Sequence, residues 1–472
     1  MGYAKDQSKG DAGASEYKNE NDEKKYYFVE ERKDEENKEE VKLDYDQLLR
    51  NIPKGGSIAA MPAYYGGVVY FPSLDTYFYA LNAKTGKLVW KFKMGDVSVS
   101  GPLIHNKKVY FGSHDGHLYC LDLVGKLLWK KYLGDIVVSY TTGIGNKIFT
   151  AAGKIFYCLS DEGKELWRFM TGDGIFTSPT AVNDKLFISS FDKHIYALEP
   201  ETGKMIWKFI AGGSITTPLV CADGKHVFTL SERSKEKIPN AKNPVLYSAS
   251  IDNNLYALSE NGEVLNKFNC GGSFATIVNT DGKAFYTGTA AGYFYALDMN
   301  LNPKWKFRAG GMITAGPAIH GNKIYVSCWD QKLYCLSDEG EKLWEFLTGG
   351  PIAAEPIFVD DKVYFGSADT FFYCINAEKR TVEWTFQCGF GLPDELKAKI
   401  KDVLNTISEY DKKVFKVWVP ETQKERLQAG GSLQNYQAPA GFQFGGEEVY
   451  KSSSGAYKTD LSYFGKKKPY KK

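Results

Sequence analysis

The chain has 472 residues, a formal net charge of +2, 43% apolar and 25% charged residues, values close to globular averages that exclude a disordered, collagenous or coiled-coil bulk. The near-neutral balance excludes a generally basic nucleic-acid binder and leaves such a role only to a local patch. With 47 Gly, 31 Tyr, 29 Phe and 9 Trp against 7 Met and 6 His, the composition favours many short, aromatic-packed strands over helices.

Residues 1–50 carry 15 Asp plus Glu against 10 Lys plus Arg, so this charged segment is expected to be mostly disordered. The N-terminus shows no apolar h-region and no later run approaches the length of a membrane-spanning helix. Neither a secretory signal nor membrane insertion is therefore expected, and the expected location is cytoplasmic.

From residue 57 onward one pattern repeats. Tyr, a small residue and Leu or Ile recur at Tyr79, Tyr119, Tyr157, Tyr196, Tyr256, Tyr295, Tyr334 and Tyr373. Six of the seven intervals are 38 to 40 residues and one is 60. Ten or eleven residues after seven of these tyrosines comes a tryptophan: Trp90, Trp129, Trp167, Trp207, Trp305, Trp344 and Trp384. Within the unit 98–135, four strand-like runs (99–104, 108–112, 117–122 and 127–132) are separated by turn signals. Four strands per unit, repeated radially, predict an all-β fold, an eight-bladed β-propeller of four-stranded antiparallel blades over residues 51–390; a β-solenoid is the competitor, but its repeats are usually shorter. Each terminal unit holds its own four strands, so closure without strand exchange is expected.

The stretches Ala80–Trp90 and Ala197–Trp207, with Thr-Gly ahead of the Trp, resemble the tryptophan-docking motif of the pyrroloquinoline-quinone (PQQ)-type propellers, the family of quinoprotein alcohol dehydrogenase-like and BamB-like repeats. The resemblance covers residues 57–389 and implies eight blades, but it speaks weakly to function because one fold hosts many activities. The seven tryptophans are then structural docking residues. Unit five has Asn266 in that slot and also the extra length, so a locally looser blade is expected there, with Asn266→Trp raising thermal stability. The extra segment, 231–244, is polar and Lys-rich and reads as a projecting loop.

The eight cysteines show no metal-ligand spacing. Cys120, Cys158, Cys335 and Cys374 take the slot that is Ala80 in the first unit, which predicts free core thiols. Aligning the runs that end in Pro gives a hub ring of Met61, Gly101, Tyr140, Ser178, Thr217, Thr276, Gly316 and Glu355. Glu355 is its lone carboxylate: a weak cofactor-binding candidate, or a solvated channel residue. A calcium site would want more carboxylates.

One face should carry the loops between blades together with the turns between second and third strands. His114, His117, Phe191, His194, Trp329 and Asp330 fall there and are the candidate partner-binding residues, with Asp75, Asp115, Asp192, Asp252 and Asp369 in equivalent turns. Each Asp also reads as a local turn acceptor. No catalytic residue and no metal ligand is assigned.

After the repeats, residues 391–420 predict an amphipathic helix and a short strand, and 421–472 an extended Gly-, Tyr- and Lys-rich tail. The expected function is a non-enzymatic protein-binding scaffold that engages its partner through the loop face, the tails or both, with no cofactor. The resemblance offers an alternative, a quinoprotein-type oxidoreductase or a sugar- or quinone-binding protein using PQQ and Ca2+. The basic end, residues 451–472, offers a nucleic-acid-associated role.

Overall fold

A computed structural model describes residues 56–215, 217–223, 227–228, 234–270 and 278–389. The N-terminal segment, the C-terminal helix and strand and the tail lie outside the described residues.

Within them the chain forms eight antiparallel sheets, each built on four strands in chain order, with the first strands of successive blades adjacent around the hub. Blade 2 is representative: Leu103–His105, Lys108–Gly112, His117–Asp122 and Leu127–Tyr132, paired in that order. The two middle strands are continuously buried, and the outer strand alternates. That contrast follows from position: the middle strands lie between neighbouring blades on both faces, whereas the outer strand covers the next blade with one face only. Apolar residues of each adjacent pair of blades merge into one cluster, including blades 8 and 1.

The docking tryptophans interlock these blades. Trp90 Nε1 donates to Leu123 O of blade 2 at 2.9 Å, Trp129 to Asp161 O of blade 3 at 3.1 Å, and Trp384 to Ala83 O of blade 1 at 3.0 Å. Six of the seven indoles lie on the glycine of the next blade's last turn; in blade 8, which follows Trp344, Arg380 at φ +57° stands in that turn instead. A Cβ added to Gly125 would come within 2.7 Å of Trp90, and one on Gly86 within 2.5 Å of Trp384. Both glycines also have positive φ, +87° and +67°, so turn geometry and the approaching ring demand the same residue. Burying one indole removes roughly 150 to 250 Å² from water, a gross gain of ~4 to 6 kcal/mol before ordering costs.

The exception in blade 5 is compensated. Asn266 Nδ2 donates to Asn300 O, which keeps the docking hydrogen bond. In the glycine slot of blade 6 stands Leu301, with φ +65° and 3% exposed. An aliphatic side chain thus occupies the space where an indole would lie, and the expected gain from Asn266→Trp reverses. That substitution alone should overpack the slot and cost about 1 to 3 kcal/mol. Combining it with Leu301→Gly should recover most of the loss, and the coupling is read from denaturant unfolding of the two single variants and the double variant.

The described part of the extra segment, residues 234–244, does not project. Ser234–Lys235 pairs in parallel with Thr142–Ile144, the first strand of blade 3, on that strand's free hub-side edge. Gly145 N donates to Lys235 O at 2.8 Å, and Asn183 N to Pro239 O at 3.0 Å. Ile238 packs on the core between blades 3 and 4, and Ala241 on that between blades 4 and 5. The segment joins the first and second strands of blade 5, so this strap runs back over blades 4 and 3 on the face opposite the blade-to-blade loops. Spaced apolar residues and free backbone donors made this docking possible; the high local polarity concealed it.

Candidate functional site

The loop face is held by a motif with fixed spacing. In blade 4, Asp192 sits in the turn before the third strand; its Oδ1 accepts from His194 N at 3.0 Å, and its Oδ2 from Tyr196 Oη at 2.6 Å and from Gly172 N at 2.7 Å. Gly172 belongs to the loop arriving from blade 3, so the carboxylate ties the turn to that loop. Asp369 does the same with Phe371 N, Tyr373 and Gly349 N, and Asp330 with Lys332 N, Tyr334 and Gly310 N. Asp75, Asp115 and Asp252 accept from Tyr79, Tyr119 and Tyr256. Two residues earlier a Ser completes the staple. Ser190 Oγ donates to Gly174 O at 3.2 Å and accepts from Asp192 N at 3.2 Å. In blade 7 the place of Ser is taken by Cys328, whose Sγ donates to Gly311 O at 3.3 Å.

The full signature is therefore Ser-x-Asp-x-x-x-Tyr, present in blades 1, 2, 4, 5 and 8 and with Cys in blade 7. Sequence reasoning treated the Tyr as a repeat marker and the Asp as an isolated turn residue; their constant separation of four was the available signal. Burial pushes the Asp192 carboxyl up, but donation from Tyr196, Gly172 N–H and His194 N–H outweighs it and leaves the group below the usual carboxylate range. In the more deeply enclosed Asp369 burial wins, and that carboxyl is raised despite the same set of donors.

The six candidate face residues separate into two rows. His114, Phe191 and Trp329 occupy the position between the Ser (or Cys328) and the Asp. Their backbone N–H groups donate to Val97, Gly174 and Met312, on the segments leading into the hub strands. This inner row is aromatic: Phe191 packs on Phe176 with ring centroids 4.5 Å apart, and Trp329 Nε1 donates to Thr314 Oγ1 at 2.6 Å. Burial holds the His114 imidazole below its ordinary pKa, hence neutral at pH 7. Its Nε2 is buried and has no hydrogen-bond partner among the described residues.

His117 and His194 instead begin third strands and lie opposite Tyr132 and Ile210, the last residues of outer strands. They form an outer row against the staple, each with Nδ1 3.3 Å from the carboxylate of Asp115 or Asp192. Asp330 belongs to the staple itself. The structure thus brings His114, Phe191 and Trp329 into one class of position and assigns the other three to the scaffold around them.

In the hub ring, Gly101, Ser178, Thr217, Gly316 and Glu355 are buried, while Met61 and Tyr140 are partly exposed; Thr276 lies outside the described residues. Glu355 is 7% exposed, not a solvated channel residue. A calcium ion takes six to eight oxygens, commonly from several carboxylates. Among the described residues no group of three His, Cys, Asp or Glu side chains converges. The described hub residues therefore do not gather the carboxylates that a calcium ion commonly takes.

Eight four-stranded blades interlocked by turn-covering tryptophans define a PQQ-type propeller. The sequence matches the family model described as outer membrane protein assembly factor BamB over residues 34–136, 125–231 and 302–390, and the chain belongs to that family. Similar solved structures include BamB from Moraxella catarrhalis (20% identity, TM-score 0.55, covering 70% of this chain and 93% of that one). The quinohemoprotein alcohol dehydrogenase from Comamonas testosteroni is also similar (15%, 0.55, 72% and 76%), as is Sqt1 from Saccharomyces cerevisiae (13%, 0.56, 67% and 94%). At these identities the likeness is one of fold. No curated protein matches the sequence.

Proposed function

We propose that this propeller is a non-enzymatic protein-binding scaffold whose loop face receives the partner on the inner row of His114, Phe191 and Trp329. The observation that carries this reading is the staple. The six staple carboxylates are engaged by tyrosine and backbone donors, whereas the inner row presents the partly exposed rings of His114 and Phe191, with Trp329 buried behind as a fixed support. Aromatic anchors flanked by fixed polar groups suit protein recognition. The similarity to BamB supports a scaffold by analogy of fold alone.

A cytoplasmic location accompanies this proposal. All eight cysteines are free, and seven of them are buried. Burial pushes the thiols of Cys120, Cys158, Cys221, Cys335 and Cys374 up to about 12, which suits inert core packing in a reducing compartment. No helix among the described residues is long and apolar enough to cross a membrane.

The test is quantitative affinity purification of the full chain beside a His114→Ala/Phe191→Ala variant, with His117→Ala/His194→Ala as control. The inner-row variant should lose its specific partner at least about tenfold, the scale of one or two interface hot spots. Equal recovery from all three proteins would refute the loop-face assignment. A PQQ-dependent dehydrogenase activity after reconstitution with the quinone and calcium would refute the non-enzymatic reading.

A further inference from the structure

The outer strands carry a charge asymmetry that the near-neutral total conceals. In blades 1 to 6 these strands are Leu88–Lys93, Leu127–Tyr132, Glu165–Met170, Met205–Ile210, Val264–Asn269 and Pro303–Arg308. Together they hold ten Lys or Arg and one carboxylate, Glu165. The residue after the docking position is a cation in every one, exposed in each case, whereas blades 7 and 8 have Glu345 and Thr385 there. The cationic row therefore follows the rim through six successive blades and stops.

Tyrosine rings position several of these cations. Lys91 and Lys93 lie 4.5 and 4.6 Å from the ring centre of Tyr77, and Arg308 lies 4.5 Å from that of Tyr293. Among the described residues Lys91, Lys130, Lys208 and Lys267 make no ion pair, while Glu345 in blade 7 is bridged by Lys332 and Lys342. Beside the cations stand exposed aliphatic side chains, such as Val89 (53%), Leu128 (44%), Ile206 (44%) and Leu265 (55%). Each outer strand is also a sheet edge with unpaired backbone groups.

We propose that the rim of blades 1 to 6 is a second interaction surface that takes an extended acidic polypeptide with interspersed apolar residues. This rests on the scaffold reading and adds to it a surface distinct from the loop face. The rim's shape and chemistry select this occupant among polyanions. A flat lipid surface meets a convex rim at only one or two blades, so most of the row would be idle. A nucleic-acid duplex, with a persistence length of about 150 bp, is too stiff to follow it. Single-stranded nucleic acid needs a succession of open aromatic faces for stacking, but among the described outer-strand aromatics of blades 1 to 6 only Tyr132 is widely exposed (60%), the tryptophans lie on the next blade, and the Tyr77 and Tyr293 rings are capped by cations. An extended acidic chain can follow the curve, bond to strand edges, pair with the cations and cover the aliphatic side chains.

The test is fluorescence anisotropy of the full chain with a labelled peptide of alternating Glu and Leu. Lys91→Glu/Lys130→Glu/Lys208→Glu/Lys267→Glu should weaken binding at least about tenfold and flatten its salt dependence, with the exposed set Lys107→Glu/Lys237→Glu/Lys242→Glu/Lys283→Glu, away from the outer strands, as a charge-matched control. The wild-type chain should prefer this peptide to its Gln-for-Glu counterpart, to oligouridylate and to phosphatidylserine vesicles. Unchanged affinity in the rim variant, or a preference for the Gln peptide, the RNA or the vesicles, overturns the proposal. Should the fourfold variant misfold, the wild-type preference and its loss at high salt decide alone. Partner recovery dependent on His114 and Phe191 alongside a failed peptide experiment would sink the rim surface and leave the scaffold reading standing.

Discussion

Phe372→Ala should destabilise the protein by about 3 to 5 kcal/mol, as large as any single core truncation elsewhere in the ring. Phe372 of blade 8 and Phe71 of blade 1 are both fully buried, with ring centroids 4.1 Å apart and planes inclined by 1°. The same two positions in blades 1 and 2 are Phe78 and Phe111, 4.2 Å apart. The seam is therefore chemically the same as an internal joint. Around it Ile58 N donates to Ser367 O at 3.2 Å, Tyr364 Oη to Ala83 O at 3.2 Å, and Trp384 covers Gly86. Blades 1 and 8 each complete their four strands from contiguous sequence, so closure depends on this face-to-face packing. Phe78→Ala, at the position of blade 1 that matches Phe372, should cost the same as Phe372→Ala to within ~1 kcal/mol by equilibrium denaturation, given the few-tenths error of such comparisons. A seam truncation costing less than about 1 kcal/mol would mean that the ring is not sealed there.

The propeller was legible because its determinants are local and repeated. Each Tyr fixes a third strand, a glycine turn precedes the outer strand in blades 1 to 5 and 7, and the period near 39 residues leaves room for four strands only. Closure could be read for the same reason, since no strand was missing from either terminal unit. What escaped were relations between units. The exchange of Trp and Gly for Asn266 and Leu301 spans two blades, and each member alone looks like an imperfection. Leu301 adopts a left-handed turn conformation that favours glycine, which propensity alone does not anticipate. The strap escaped because its docking strand has two residues, and its partner strand, Thr142–Ile144, lies about ninety residues earlier in the sequence.

The candidate site was half legible. Turn position placed the six residues beside the blade-to-blade loops, but it could not separate those that bond to the hub segments from those beside the outer strands. That distinction depends on strand register: His117 is directly opposite Tyr132, whereas His114 precedes the strand and hydrogen-bonds to Val97. The six aspartates read as local turn acceptors, and hydrogen bonding shows that their reach is longer: in blades 1, 2, 4, 5, 7 and 8 a tyrosine hydroxyl needs an acceptor at that point, and in blades 4, 5, 7 and 8 the incoming loop's Gly N–H does too.

The second large effect concerns this staple and bears on the central claim, that the loop-face carboxylates build the face and leave recognition to the residues between them. The measurement is differential scanning calorimetry of Asp330→Ala, which removes the acceptor of the Tyr334 hydroxyl, Lys332 N–H and Gly310 N–H. Leaving these donors, above all the hydroxyl of the buried Tyr334, without their acceptor should cost about 1 to 3 kcal/mol and lower Tm accordingly. An Asp330→Ala protein that melts with the wild type yet no longer retains its partner would contradict the account, because that carboxylate would then serve binding and not the fold.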